Sequence, residues 1–149
     1  MHIDAILVPI DFSEASGEAL AEAARLANHY DADLTVYHVH QIEAVVFMDF
    51  TYVEPPETLA ELCAAAEKGL TQMVSELEER PKKYAIRVAT GSPVSEIIRE
   101  SEGHQLIVMP THGRTGLKHF LMGSVAERVV QGSQCSVLII KPETGATPG

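Results

Sequence analysis

The 149-residue chain has no tryptophan, two cysteines, few basic residues and no apolar run of membrane-spanning length. Each shortage excludes something. Cys63 and Cys135 stand far apart and form no C-x-x-C pair, so a disulfide framework is not expected, and both read as small buried hydrophobes. Eleven Lys and Arg against 21 Asp and Glu leave a formal charge of −10. That charge repels nucleic-acid phosphates, and no Lys/Arg run offsets it, so no nucleic-acid partner is expected. Met1-His2-Ile3-Asp4 has no basic leader region, and the apolar run after it is too short for a signal peptide or a span. The expected setting is therefore the cytoplasm, with no membrane partner.

Catalytic signatures are missing too. There is no G-x-S-x-G elbow, no G-x-x-x-x-G-K-[ST] loop, and no G-x-G-x-x-G after the first strand. Among the seven histidines, His38 and His40 alternate on a strand but bring no acidic or thiol ligand with them, so no metal site is expected. No nucleophile with a paired base can be named, and the chain is not read as an enzyme.

What remains is a regular alternation. Ala5–Ile10 is a short continuous apolar run, suited to a strand covered on both faces. Asp11-Phe12-Ser13 turns the chain, and Ser13 suits the N-cap of a helix to about Tyr30, with Ala15, Ala19, Ala23, Leu26 and Tyr30 on its apolar stripe. Leu34–Val39 is a second strand. Residues His40–Pro56 lose periodicity and read as a loop carrying apolar contacts through Val45, Val46, Phe47 and Phe50. A long helix is expected over Glu57–Glu79, with Leu59, Leu62, Cys63, Ala66, Leu70, Met73, Val74 and Leu77 on one face and Pro81 as its stop. Tyr84–Ala89 is a third strand, and Ser92-Pro93 writes an N-cap and first helical position. Leu106–Met109 is a fourth strand. A helix from Gly123-Ser124 to about Gln131 and the strand Ser136–Ile140 complete the pattern.

Strands alternating with helices at this spacing imply α/β architecture: one doubly wound, five-stranded parallel sheet with helices on both faces. One domain over residues 1–142 is expected, with a flexible tail over 143–149. In such sheets ligands sit beyond the carboxyl ends of the strands where the winding reverses. Attention therefore falls on Pro9–Ser13 and on Met109–Ser124. In the latter, Gly113 and Gly116 permit positive φ. Gly123, Ser124 and Val125 open a helix and can offer N–H groups to an anion, with Arg114 and Lys118 nearby. The same loop also reads as a plain helix-capping turn, and His112 as either a phosphate contact or a solvent-exposed loop residue.

Three segments carry a resemblance: Ile-Leu-Val-Pro-Ile-Asp-Phe-Ser from Ile6, Leu-Ile-Val-Met-Pro-Thr-His-Gly-Arg-Thr-Gly from Leu106, and Gly-Ser-Val-Ala-Glu-Arg-Val-Val from Gly123. Together with the closing Cys-Ser-Val-Leu-Ile-Ile-Lys they resemble the universal stress protein family, from about Ile3 to Lys141. The resemblance implies a Rossmann-like fold of the adenine nucleotide alpha hydrolase type. The nucleotide-binding members share G-x2-G-x9-G-[ST]. Here Gly113, Gly123 and Ser124 match with nine residues between the glycines, while Pro110 replaces the first glycine and removes an N–H donor.

By that resemblance Asp11 would bond the ribose, and Pro9 and Met109 would line the adenine pocket. Val39 would hold the base through its backbone, and Gly113, Gly123, Ser124 and Val125 would hold phosphates. Pro110, His112, Arg114 and Gly116 complete the nucleotide-binding set. The implied function is a non-enzymatic stress-response protein that binds ATP, with or without Mg2+, and an unidentified client protein. A nucleotide-independent dimeric interaction module and a slow nucleotide hydrolase are the alternatives. A homodimer is expected through the last strand, whose apolar Val137–Ile140 would lie at a sheet edge.

Overall fold

A computed structural model of the protein describes residues 1–42, 45–113 and 122–142. The elements are β1 (Ala5–Pro9), α1 (Glu14–Tyr30), β2 (Asp33–His40), β3 (Val45–Phe47), β4 (Phe50–Tyr52), α2 (Pro56–Ser75), β5 (Tyr84–Thr90), α3 (Pro93–Glu100), β6 (Leu106–Pro110), α4 (Ser124–Gly132) and β7 (Ser136–Ile140). Five of the strands form one parallel sheet in the order β5-β2-β1-β6-β7. The chain winds outward from β1 through β2 to β5, then returns to the other side of β1 as β6 and β7. The reversal falls between β1 and β6.

Side chains alternate across the pleat and so divide the core in two. Ile6, Val8, Leu34, Val36, Leu106 and Val108 point to one face and are buried with Ala19, Leu20, Ala23, Ala24 and Ala27 of α1 and with Leu70 and Val74 of α2. Leu7, Tyr37, Ile107 and Met109 point to the other, against Ile97 of α3 and Ala126 and Val129 of α4. The alanines let α1 lie close over β1 and β6. At the second face, α3 and α4 meet closely enough that a methyl group on Gly132 would push aside the δ-carbon of Ile98.

Several expectations need correction. Residues 45–52 are a two-stranded antiparallel hairpin, with Phe47 opposite Phe50, rather than a loop. Of the side chains expected to make apolar contacts, Val46 and Phe50 are exposed and belong to neither core cluster. The helix α2 ends at Ser75, not Glu79, since the carboxylate run Glu76, Glu78 and Glu79 would sit against its negative end. Of its apolar stripe only Leu70 and Val74 are buried, and Leu62 is exposed; Tyr30, expected on the stripe of α1, is exposed as well, at the helix's last turn. Ser92 occupies the N-cap of α3 but makes no side-chain cap hydrogen bond. Both cysteines are free and half-buried rather than enclosed. The expected tail, 143–149, lies outside the described residues.

Candidate functional site

The site begins at the β1–β6 seam. Strand β1 pairs with β2 as far as Pro9–Tyr37, and β6 pairs with β7 as far as Pro110–Ile140, but β1 and β6 part after Leu7–Ile107. Successive N–H groups of a strand point to opposite edges. Ile10 N–H donates to Tyr37 O on the β2 side at 2.7 Å, so the nitrogen of Pro9 faces β6. Thr111 N–H donates to Ile140 O on the β7 side at 3.2 Å, so the nitrogen of Pro110 faces β1. The next two rungs of the seam would need N–H donors from these two prolines, and proline has none. The strands open into a crevice at the point of winding reversal.

On the β1 side, Asp11 follows the strand. Its Oδ1 accepts from the backbone N–H of Ser13 at 2.9 Å and from the Ser13 hydroxyl. Ser13 caps α1, its Oγ accepting from Ser16 N–H at 3.1 Å. Between them Phe12 takes φ 63, a left-handed conformation for a residue with a side chain. Its ring packs beside the His38 imidazole, centroids 4.8 Å apart. A Cβ on Gly69 would come within 3.0 Å of the ring. A glycine in mid-helix is thus accounted for by the approach of Phe12. His38 Nδ1 lies 2.7 Å from Ile10 O, which fixes the other side of the turn. Neither Phe12 nor Gly69 was legible in the sequence, because periodicity carries no record of a left-handed residue.

On the β6 side, Met109 and Pro110 are buried. His112 Nδ1 lies 3.0 Å from Thr111 Oγ1, while its Nε2 is buried with no hydrogen-bond partner among the described residues. Gly113 then passes directly over Asp11: a methyl at Gly113 would overlap the Asp11 carboxylate. Its φ is not in the left-handed range, so this glycine is required for close approach and not for the positive φ expected of it.

Beyond residues 114–121, Gly123 is the N-cap of α4 and Ser124 its first helical residue. The expectation that Gly123 offers its N–H to an anion is corrected: that N–H donates to Thr111 O at 2.6 Å and closes the loop. Ser124, Val125 and Ala126 keep first-turn N–H groups that have no intrahelical acceptor. Val39 lies near the end of β2, paired with Ala89 of β5, at the same end of the sheet. Arg114, Gly116 and Lys118 lie outside the described residues. The carboxyl ends of β1, β2 and β6 and the amino end of α4 therefore gather Pro9, Asp11, Val39, Met109, Pro110, His112, Gly113, Gly123, Ser124 and Val125 at one rim.

A second hollow of about 600 Å³ opens at the opposite end of the sheet, lined in part by Ser101, His104, Gln105 and Cys135. Burial pushes the Cys135 thiol up and the His104 imidazole down, so neither is poised as a thiolate or a cation. Among the described residues no three His, Cys, Asp or Glu stand together as a metal would require, and no helix is long and apolar enough to cross a membrane.

Comparison with known proteins matches residues 2–141 to the family model described as the universal stress protein family. The chain is similar to universal stress protein MJ0531 of Methanocaldococcus jannaschii, 34% identical over 139 residues, which span 91% of this chain and 81% of that protein. Among solved structures it is similar to protein MJ0577 of the same organism, with TM-score 0.77 and 28% identity over 95% of this chain and 97% of the other. It also shares the fold of a universal stress protein solved in complex with cAMP, with TM-score 0.69 and 19% identity over 95% and 98% of the two chains.

Proposed function

Because the chain belongs to the universal stress protein family, we propose that it binds an adenine nucleotide, ATP with or without Mg2+, across the β1–β6 crevice as a non-enzymatic, cytoplasmic regulatory protein. The observation that carries this reading is the open seam at the winding reversal, with Asp11 and Gly113 packed together across it. In this reading Asp11 accepts from the ribose hydroxyls, and Pro9, Val39 and Met109 flank the base. The first-turn N–H groups and hydroxyl of α4 take the phosphates, where the helix dipole adds about 0.3–1 kcal/mol for an anion. His112 Nε2, buried and unpaired among the described residues, supplies one more polar contact. The cAMP complex of a structural neighbour supports the ligand class.

The direct test is thermal unfolding with and without Mg-ATP. Nucleotide at a hundred times its dissociation constant stabilises by about 2.7 kcal/mol, and an unchanged midpoint at millimolar ATP would reject the reading. Phosphate release above that of a Gly123→Val control would instead mark a hydrolase.

A second reading has its own support. Pro110 withholds one donor from the crevice, and Thr111 consumes the N–H of Gly123. Both weaken phosphate and ribose capture and favour a nucleotide-independent module that acts on a client protein. Either reading includes a homodimer through β7, which is one of the two edge strands of the sheet and keeps Leu138 exposed. A monomer mass by light scattering at micromolar concentration would contradict the pairing.

A further inference from the structure

The hairpin β3–β4 is an unusual piece of surface. A two-stranded hairpin is marginally stable unless something covers it, and this one makes its main contacts within itself. Val46 is 68% exposed, Met48 85%, Phe50 81% and Tyr52 58%. Phe50 and Tyr52 share one face of the ribbon, and Val46 lies on the other. Further along the chain Val53 and, in the second turn of α2, Leu62 are exposed as well. One tether to the sheet is a hydrogen bond between His40 Nε2 and Glu54 Oε2 at 3.2 Å.

The stretch of chain that carries these residues is acidic. No Lys or Arg occurs between Arg25 and Lys68. Asp49, at the hairpin turn, and Glu57 and Glu61, in the first turns of α2, are exposed beside the apolar residues. Exposed apolar side chains rimmed by charge mark a protein interaction surface. A second copy would bring these carboxylates against their duplicates, and an anionic bilayer would be repelled.

We propose that the β3–β4 hairpin and the amino-terminal half of α2 form a docking surface for a basic amphipathic helix of a partner protein. Such a helix sets apolar residues at helical spacing against Met48, Phe50, Tyr52 and Leu62. Its flanking Lys and Arg meet Asp49, Glu57 and Glu61. None of the residues named on this surface is among those gathered at the crevice.

The test uses the full chain and a synthetic leucine–lysine peptide of about 18 residues, roughly five helical turns, titrated by fluorescence anisotropy at about 150 mM salt. Met48→Ser with Phe50→Ser, and separately Glu57→Lys with Glu61→Lys, are each expected to weaken binding by about tenfold or more. Glu78→Lys with Glu102→Lys makes the same charge change away from the patch, and is expected to leave binding within about threefold. Circular dichroism checks the fold of each variant, and the α2 pair serves if the hairpin pair does not fold. Three results would overturn the proposal: no peptide binding, equal loss in the remote variant, or equal binding of a peptide with its leucines replaced by serine. Assembly beyond a dimer that Phe50→Ser abolishes would assign the patch to a second copy instead. Binding of wild type to phosphatidylcholine vesicles that the same change abolishes would assign it to a membrane.

Discussion

Pro9 and Pro110 end β1 and β6 on either side of one seam, and each withholds the N–H that would have carried the ladder a rung further. A proline that looks like damage to a glycine motif is therefore also one of two wedges that hold the crevice open. Its cost to a bound nucleotide and its benefit to the crevice come from the same missing hydrogen.

Pro110→Gly tests this balance. Restoring a donor that faces the crevice is expected to tighten ATP binding by about 0.5–1.5 kcal/mol, or roughly two- to tenfold. Calorimetric titration of both proteins measures it. Unchanged affinity would mean that the ligand makes no use of a donor at this position, and weaker affinity that the new N–H had zipped the seam shut.

The Asp11–Gly113 approach gives a cleaner measurement. Gly113→Ala is expected to destabilise by about 1–3 kcal/mol, because its methyl must displace the Asp11 carboxylate or the loop. In an Asp11→Ala background the same change should cost less, with a coupling of about 0.5–3 kcal/mol from urea unfolding of the four proteins. Strict additivity would show that the two residues do not press on each other in solution.

Ser13 and Ser124 stand at two helix starts with different duties. Ser13→Ala removes a cap that accepts from Ser16 N–H and is expected to cost about 0.5–2 kcal/mol of stability. Ser124 is already inside α4, whose cap is Gly123, so Ser124→Ala should leave stability within about 0.5 kcal/mol. It should weaken ATP binding by about 0.5–1.5 kcal/mol instead. Loss of stability on the scale of the Ser13 variant, with affinity untouched, would reverse these roles.

His104 carries a pH signature. Burial holds its imidazole below the ordinary 6.5, only partly offset by Glu100, and its Nε2 lies 3.0 Å from Thr35 Oγ1. Below pH 6.5 the unfolded chain takes up this proton before the folded one does. Stability from this group is therefore full above that pH and falls as the pH drops toward the folded value. His104→Gln should flatten the acid limb of the stability curve. Parallel curves for the two proteins would show that this imidazole is not the group responsible.

Much of this was legible from residues alone, and the reason is local. Ala5–Pro9 and Leu106–Met109 are apolar on both faces because both faces are covered, and the alanine stripe from Ala19 to Ala27 marks a helix laid close to the sheet. Ser13 and Ser92-Pro93 announced their helices for the same reason, since a helix start is written within a few residues. The hairpin at 45–52 was not legible. Its valines and aromatics resemble buried contacts, and composition does not distinguish an apolar residue in the core from one waiting for a partner.

The amino-acid sequence by itself determined the strand and helix order, the parallel sheet and the rim where a ligand would sit, because periodicity and turn chemistry act over short stretches. Only the tertiary structure decided that Gly113 is a glycine for the sake of Asp11, that Thr111 takes the N–H of Gly123, and that Gly69 makes room for Phe12. Those pairs are joined across the fold, where a methyl or a proton matters by its distance to an atom far away in the chain.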